Sequence, residues 1–166
     1  MSYDYSENIL VQESAGNLLR DELGWDVRFA YNTEVLGKNG TFGRESYHEI
    51  LLLRYFREAL KKLNGQTETK KAAVIDFQNP ENNYFLAVKE MKIHGDLYRR
   101  RTDIVGFVNG IPLLFVELKK NTVDVQNAYD DNYTDYQDTI PHLFYYNAFL
   151  MLSNGTEAKV GILGSK

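Results

Sequence analysis

Three charged side chains stand among apolar ones in a single short stretch. RTDIVGFVNGIPLLFVELK, residues 101–119, reads as two apolar strands around Asn109-Gly110. Asp103 lies where the first strand begins, and Glu117 and Lys119 where the second ends. Glu117 and Lys119 are two residues apart, so in a strand both leave the same face. The direction of Asp103 depends on the turn. A strict two-residue loop sets it opposite Val116 and sends it to the other face, whereas a three-residue Asn-Gly-Ile loop with a bulge sets it opposite Glu117. The bulged register is the expectation, because Val105, Phe107, Leu113 and Phe115 then share the acids' face as packing partners. Two carboxylates at cross-strand spacing repel unless something neutralises them. A hard divalent cation such as Mg²⁺ does so, with waters and phosphate oxygens completing its shell. Lys119 then stands ready to neutralise a negative centre, which makes the set suitable for metal-assisted phosphodiester hydrolysis. The plainer reading is a surface Glu–Lys pair and a strand-starting Asp that add little stability.

The rest of the chain limits the other options. A length of 166 residues suits one domain with a real core. With no cysteine, disulfides and thiolate metal sites are excluded, and a cytoplasmic location fits. The start shows no signal-peptide pattern, and no apolar run approaches the roughly 20 residues of a membrane helix. His48, His94 and His142 form no HxxxH-type pair and read as structural or surface residues. The loop from Gly37 to Gly43 lacks the order of a phosphate-binding P-loop. A net charge of −4 argues mildly against a protein that coats nucleic acid. Local basic runs point the other way: Arg99-Arg100-Arg101, Lys119-Lys120, Lys70-Lys71 and Lys61-Lys62.

The elements that must position the hairpin follow from periodicity. Apolar residues at helical spacing from about Glu7 to Leu23 predict a helix stopped by Gly24. Trp25 to Tyr31 reads as a short strand, and Glu45 to Leu63 as an amphipathic helix ended by Asn64-Gly65. Ala72 to Phe77 reads as a strand, and Phe85 to His94 as a half-exposed one. Val123 to about Asp138 returns to helical character, and Phe144–Leu152 and Lys159–Leu163 read as strands around an Asn-Gly turn. The order predicts a single α+β (α/β-like) domain with a mixed central sheet flanked by helices.

At the hairpin, RRRTDIVGFVNGIPLLFVELKK resembles the nuclease motif of the restriction (R) subunit of type I restriction–modification enzymes, within the PD-(D/E)xK nuclease superfamily. GRESYHEILLLRYFREALKKLN and VIDFQNPENNYFLAV upstream, and IPHLFYYNAFLMLSNGTEAKVG downstream, extend the similarity over most of the chain. The resemblance implies a restriction-endonuclease-like core and Mg²⁺-dependent cleavage of double-stranded DNA, with Mn²⁺ as a substitute ion. Carried over by position, Asp103 and Glu117 would hold the metal and Lys119 would be the catalytic lysine. The family's first helix supplies a further acid, for which Glu13 is the candidate and Glu7 the second choice. A Gln-x-x-x-Tyr motif often follows the lysine; here Asn132 replaces the glutamine and Tyr136 matches the tyrosine. Arg99, Arg100, Arg101 and Lys120 would support DNA binding.

The resemblance also implies partners, the modification and specificity subunits. It casts residues 1–166 as one nuclease domain of a longer subunit, and ATP would act only through a translocase part outside this sequence. Another PD-(D/E)xK branch, or a nuclease-like module that docks on DNA or subunits without cutting, are the competing readings. Metal titration in the presence of DNA separates the last of these.

Overall fold

The computed structural model describes residues 7–65, 72–125 and 133–164. Helix α1 (Glu7–Asp21) leads into strand β1 (Asp26–Phe29), and helix α2 (Leu53–Asn64) precedes β2 (Phe85–Lys89). Strands β3 (Lys92–His94) and β4 (Arg99–Arg101) form a separate two-stranded ribbon. The hairpin β5 (Ile104–Val108) and β6 (Ile111–Leu118), helix α3 (Thr134–Thr139), β7 (Phe149–Ser153) and β8 (Ala158–Gly161) complete the order. The main sheet runs β1-β2-β5-β6-β7-β8. It is mixed: β1–β2 and β6–β7 are parallel, and the other neighbours are antiparallel.

Alternation along the central strands builds two cores. Leu86, Val88, Val105, Phe107 and Phe115 pack with Tyr133, Tyr136, Ile140 and Phe144 on one face. Ala87, Ile104, Val116 and Leu118 pack under Leu19, Val11 and Ala15 of α1 on the other. Trp25 joins this second layer, and Gly106 makes room for it. A Cβ on Gly106 would lie 2.9 Å from both the Trp25 ring and Leu114. The sheet is therefore covered on both faces, which is why β2 is almost wholly buried rather than half-exposed.

Other elements depart from the sequence expectations for reasons of hydrogen bonding. The helix predicted from Glu45 begins only at Leu53. Arg44, 1% exposed, takes the Glu49 carbonyl (3.1 Å), and the Leu52 N–H donates to the Gly110 carbonyl (2.9 Å). Those backbone groups serve tertiary partners instead of a helical ladder. No strand forms over 72–77. The Asn64, Asn83 and Asn109 amides take its backbone groups, and Asp76 Oδ1 accepts the N–H groups of Gln78 and Asn79 in a turn. The strand expected from Phe85 to His94 breaks at Glu90, whose φ is +53°, so β3 leaves the sheet for the ribbon. Pro141–Phe144 is a 3₁₀ turn, and β7 begins later than expected, at Phe149. Of the helix read from Val123 to Asp138, Val123 and Asp124 are not helical, 126–132 lie outside the described residues, and α3 forms its last part.

The hairpin corrects one detail and keeps its consequence. Val108 pairs with Ile111, so the loop is the two-residue Asn109-Gly110, not Asn-Gly-Ile. Both residues have positive φ (53° and 81°), as a tight primed turn requires. The extra residue is Leu113, inserted where the register shifts after Gly106. Half-buried, Leu113 turns its carbonyl to the Ala148 N–H (2.8 Å) and does not pack beside Phe115 as expected. Beyond the bulge Ile104 pairs with Val116, so continuing the register sets Asp103 across from Glu117.

Candidate active site

The site lies at the open end of the hairpin. Glu117 follows Phe115 on the face of the larger core and is 2% exposed. Lys119 is held at the strand end by its N–H bond to the Ser153 carbonyl (2.8 Å), and its Nζ lies 3.9 Å from Glu117 Oε1. Asp103 is fixed from two sides. Its Oδ2 accepts the Leu118 N–H and its Oδ1 accepts Gln12 Nε2 of α1, each at 2.7 Å. Burial pushes the Asp103 carboxyl above the usual carboxylate range, and the nearby Glu90 carboxylate adds to this. The Leu118 N–H, Gln12 and the Lys119 ammonium pull the other way. Lys119 is thus a neighbour of both acids.

Tyr136 closes the site from α3. It is 7% exposed, packs edge-on against Phe115, and donates its hydroxyl to the Arg101 carbonyl (3.1 Å). Burial raises its pKa first, and the negative charges of Glu117, Asp103 and Asp135 raise it further. Its phenol therefore stays neutral and acts as a donor, within electrostatic range of both hairpin carboxylates.

The remaining expected residues divide. Glu13 does not join the hairpin acids; it pairs with the buried Lys89 on the α1 side of the sheet. Its neighbour Gln12 is the α1 residue that reaches Asp103. Arg100 turns inward to a bidentate pair with Asp135 (2.6 and 2.8 Å). Arg99 is exposed, and Arg101 meets Glu90 at 3.3 Å. Lys120 lies past the end of β6, where its carbonyl accepts the Val123 N–H. Asn132 is outside the described residues, and so is any description of the Glu7 side chain. Gln12 had a signal in the sequence. Gln12, Ala15, Gly16 and Leu19 make one helical stripe, and a lone amide on a buried stripe needs a polar partner.

Among the described residues, no three histidine, aspartate or glutamate side chains come together closely enough to hold a metal ion by themselves. Asp103 and Glu117 nevertheless suit an ion that takes one or two carboxylates and completes its shell with water and phosphate. Each carboxylate oxygen of Asp103 accepts one bond and keeps a second lone pair.

A mixed sheet flanked by helices, with Asp, Glu and Lys gathered at the end of its central hairpin, defines a nuclease-like α+β core. The family model described as "Type I restriction enzyme R protein N terminus" matches residues 4–166, and the chain belongs to that family. It is 27% identical, over 86% of its length, to the type I restriction enzyme HindI endonuclease subunit of Haemophilus influenzae. A Methanocaldococcus jannaschii chain, provisionally named the endonuclease subunit of the type I restriction enzyme MjaIXP, is 35% identical over 60% of this one. The SauCOLORF180P endonuclease subunit of Staphylococcus aureus is 30% identical over 64%. The chain spans 18%, 10% and 11% of these relatives, respectively. Among the described residues, no helix is long and apolar enough to cross a membrane.

Proposed function

We propose that this domain hydrolyses phosphodiester bonds of double-stranded DNA with Mg²⁺, as the nuclease part of a type I restriction enzyme R subunit. The observation that carries the reading is the shared position of Lys119, beside Glu117 and within electrostatic reach of Asp103. Asp103 and Glu117 would hold the ion, which when bound supplies Lewis-acid stabilisation of the phosphoryl oxygens. Gln12 and the Leu118 N–H aim the Asp103 carboxylate. Lys119 offsets the negative charge that builds up as a water oxygen bonds to phosphorus and the sugar oxygen leaves. The departing oxygen takes up a proton and the attacking water loses one, so no covalent enzyme intermediate is needed. Tyr136 holds the Arg101 backbone and with it the approach to Asp103. In the assembled enzyme, modification and specificity subunits would select the DNA, and ATP would act through a translocase part of the longer subunit.

A second reading is a duplex-docking module that does not cut. The observation in its favour is that Glu13, the acid expected from α1, is committed to Lys89 and does not join Asp103 and Glu117. Plasmid cleavage by the full R subunit with its partners separates the two. Lys119→Ala is expected to lower cutting at least about 100-fold, in line with loss of one charge-stabilising group, while translocation continues. Wild-type cutting by that variant would end the hydrolytic assignment.

A further inference from the structure

The β3–β4 ribbon carries a charge pattern that fold stability does not explain. Its register sets Lys92 opposite Arg101 and His94 opposite Arg99, with Ile93 and Arg100 on the alternate face. Ile93 is fully buried and Arg100 is tied to Asp135, so the inner face anchors the ribbon to the domain. The outer face therefore sets the Lys92 and Arg101 cations directly across from each other, with Arg99 one pair further along opposite His94. Like charges in that position destabilise a strand pair. Glu90 offsets only part of this, at 3.3 Å from Arg101.

Aromatic rings hold the cations in place. The Tyr31 ring lies under both Arg101 (4.5 Å to the centroid) and Lys92 (4.8 Å), within cation–π range. His94 packs against Tyr47, and burial first, then the positive charges of Arg99, Arg44 and Lys92, hold its pKa below the usual histidine value. This patch sits on a chain whose net charge is −4. It also runs straight into the site, since Arg101 is two residues before Asp103 and its carbonyl is bonded by Tyr136. The two cross-strand pairs stand about 7 Å apart along the ribbon, given roughly 3.4 Å per strand residue. That distance matches about two nucleotides of axial rise at roughly 3.4 Å each.

We propose that the outer face of the β3–β4 ribbon is a rail for the phosphate backbone of duplex DNA, with Lys92, Arg99 and Arg101 contacting phosphates and Arg100 serving as its strut. The ribbon holds the duplex beside the hairpin without reading its sequence. The inference rests on the reading of the domain as one that acts on duplex DNA, but not on cleavage.

Fluorescence anisotropy of a labelled duplex with the 166-residue chain, in EDTA over a salt series, tests it. Lys92→Ala/Arg99→Ala should weaken binding equally on unrelated sequences and reduce the slope of log K against log salt by about 2, roughly 0.9 for each phosphate contact. Lys92→Arg/Arg99→Lys should restore the slope. Arg57→Ala/Lys61→Ala, which removes two exposed charges from α2, should leave it unchanged. Absence of binding by the wild-type chain, an unchanged slope in the ribbon variant, or an equal loss in the α2 variant would each overturn the rail. Binding is read in EDTA, without cleavage, so a failed cleavage mechanism would leave the ribbon result standing.

Discussion

Gln12→Ala isolates the contact that joins helix α1 to the hairpin. Gln12 is 9% exposed and its amide donates to one oxygen of a buried carboxylate at 2.7 Å. Hydrogen bonds to charged groups contribute about 1.5–3 kcal/mol, so the variant should lose about 2 kcal/mol at neutral pH. In a chain of this size that corresponds to a fall of roughly 4–8 °C in Tm. Truncating a helix residue could cost as much for other reasons, so the decisive assay is a double-mutant cycle. Urea unfolding of Gln12→Ala, Asp103→Ala and the double variant should give a coupling of about 1.5–3 kcal/mol. The Leu118 N–H left unpaired by Asp103→Ala appears on both sides of the cycle and cancels. The pH dependence adds a sign. Gln12 lowers the Asp103 pKa, so the variant's carboxyl takes up its proton at higher pH than the wild type's. The stability gap is therefore full above the variant's folded value and narrows as pH falls through the wild-type value. It should shrink to about half, because the bond is then to a neutral carboxyl. A coupling below about 0.5 kcal/mol, the range of independent sites, would refute the claim that α1 aims Asp103.

Three further outcomes concern the buried charges. Burial holds the Asp103 pKa above its unfolded value, so this group's stabilising contribution is full at low pH and is lost as pH rises through the folded value. Asp103→Asn should accordingly unfold later than wild type at neutral pH, with the gain fading on acidification. Added Mg²⁺ should raise the wild-type melting temperature but not that of Asp103→Asn. Arg44 and Glu34 form a pair whose side chains are 0% and 1% exposed, and Arg44 also donates to the Glu49 and Lys92 carbonyls. Arg44→Ala leaves that carboxylate buried alone and should cost about 3–5 kcal/mol by urea unfolding.

What the sequence made legible was local. The hairpin, its Asn-Gly turn, the Gly24 and Gly65 stops and the helix over 7–21 all follow from period and turn chemistry acting over a few residues. The shortened helix at 45–52 and the missing strand at 72–77 share one physical origin. At Glu45–Leu52 and 72–77 the apolar pattern was real, but the backbone groups met other partners, the Arg44 side chain and the Gly110 carbonyl in the first and the Asn64, Asn83 and Asn109 amides in the second. Arg44 and Asn109 are the agents, each fully buried and each bonding to several partners. A pattern of hydrophobicity records which face is buried and is silent about which amide will meet which carbonyl.

The site shows the same division. Because the side-chain period in a strand is fixed, the spacing of Glu117 and Lys119 alone sets them on one face. Placing Asp103 across from Glu117 needed one extra residue somewhere in the hairpin, and the packing of Val105, Phe107 and Phe115 against a single core demanded it wherever it fell. The bulge could move from the turn to Leu113 without changing that outcome, since register at the open end depends only on the total count between the pairs. The acid of α1 is a different matter. Glu13 and Gln12 are neighbours on a helix, about 100° apart, and the choice between them depends on how α1 rotates over the sheet. Gly16 permits a close seating of the helix on the Lys89 side chain, where a Cβ would meet Cδ at 3.2 Å. That seating turns Glu13 to the lysine and Gln12 to the aspartate. Gly16→Leu should lift α1 and weaken the contacts of Gln12 and Glu13 together, whereas Gln12→Ala weakens only its own.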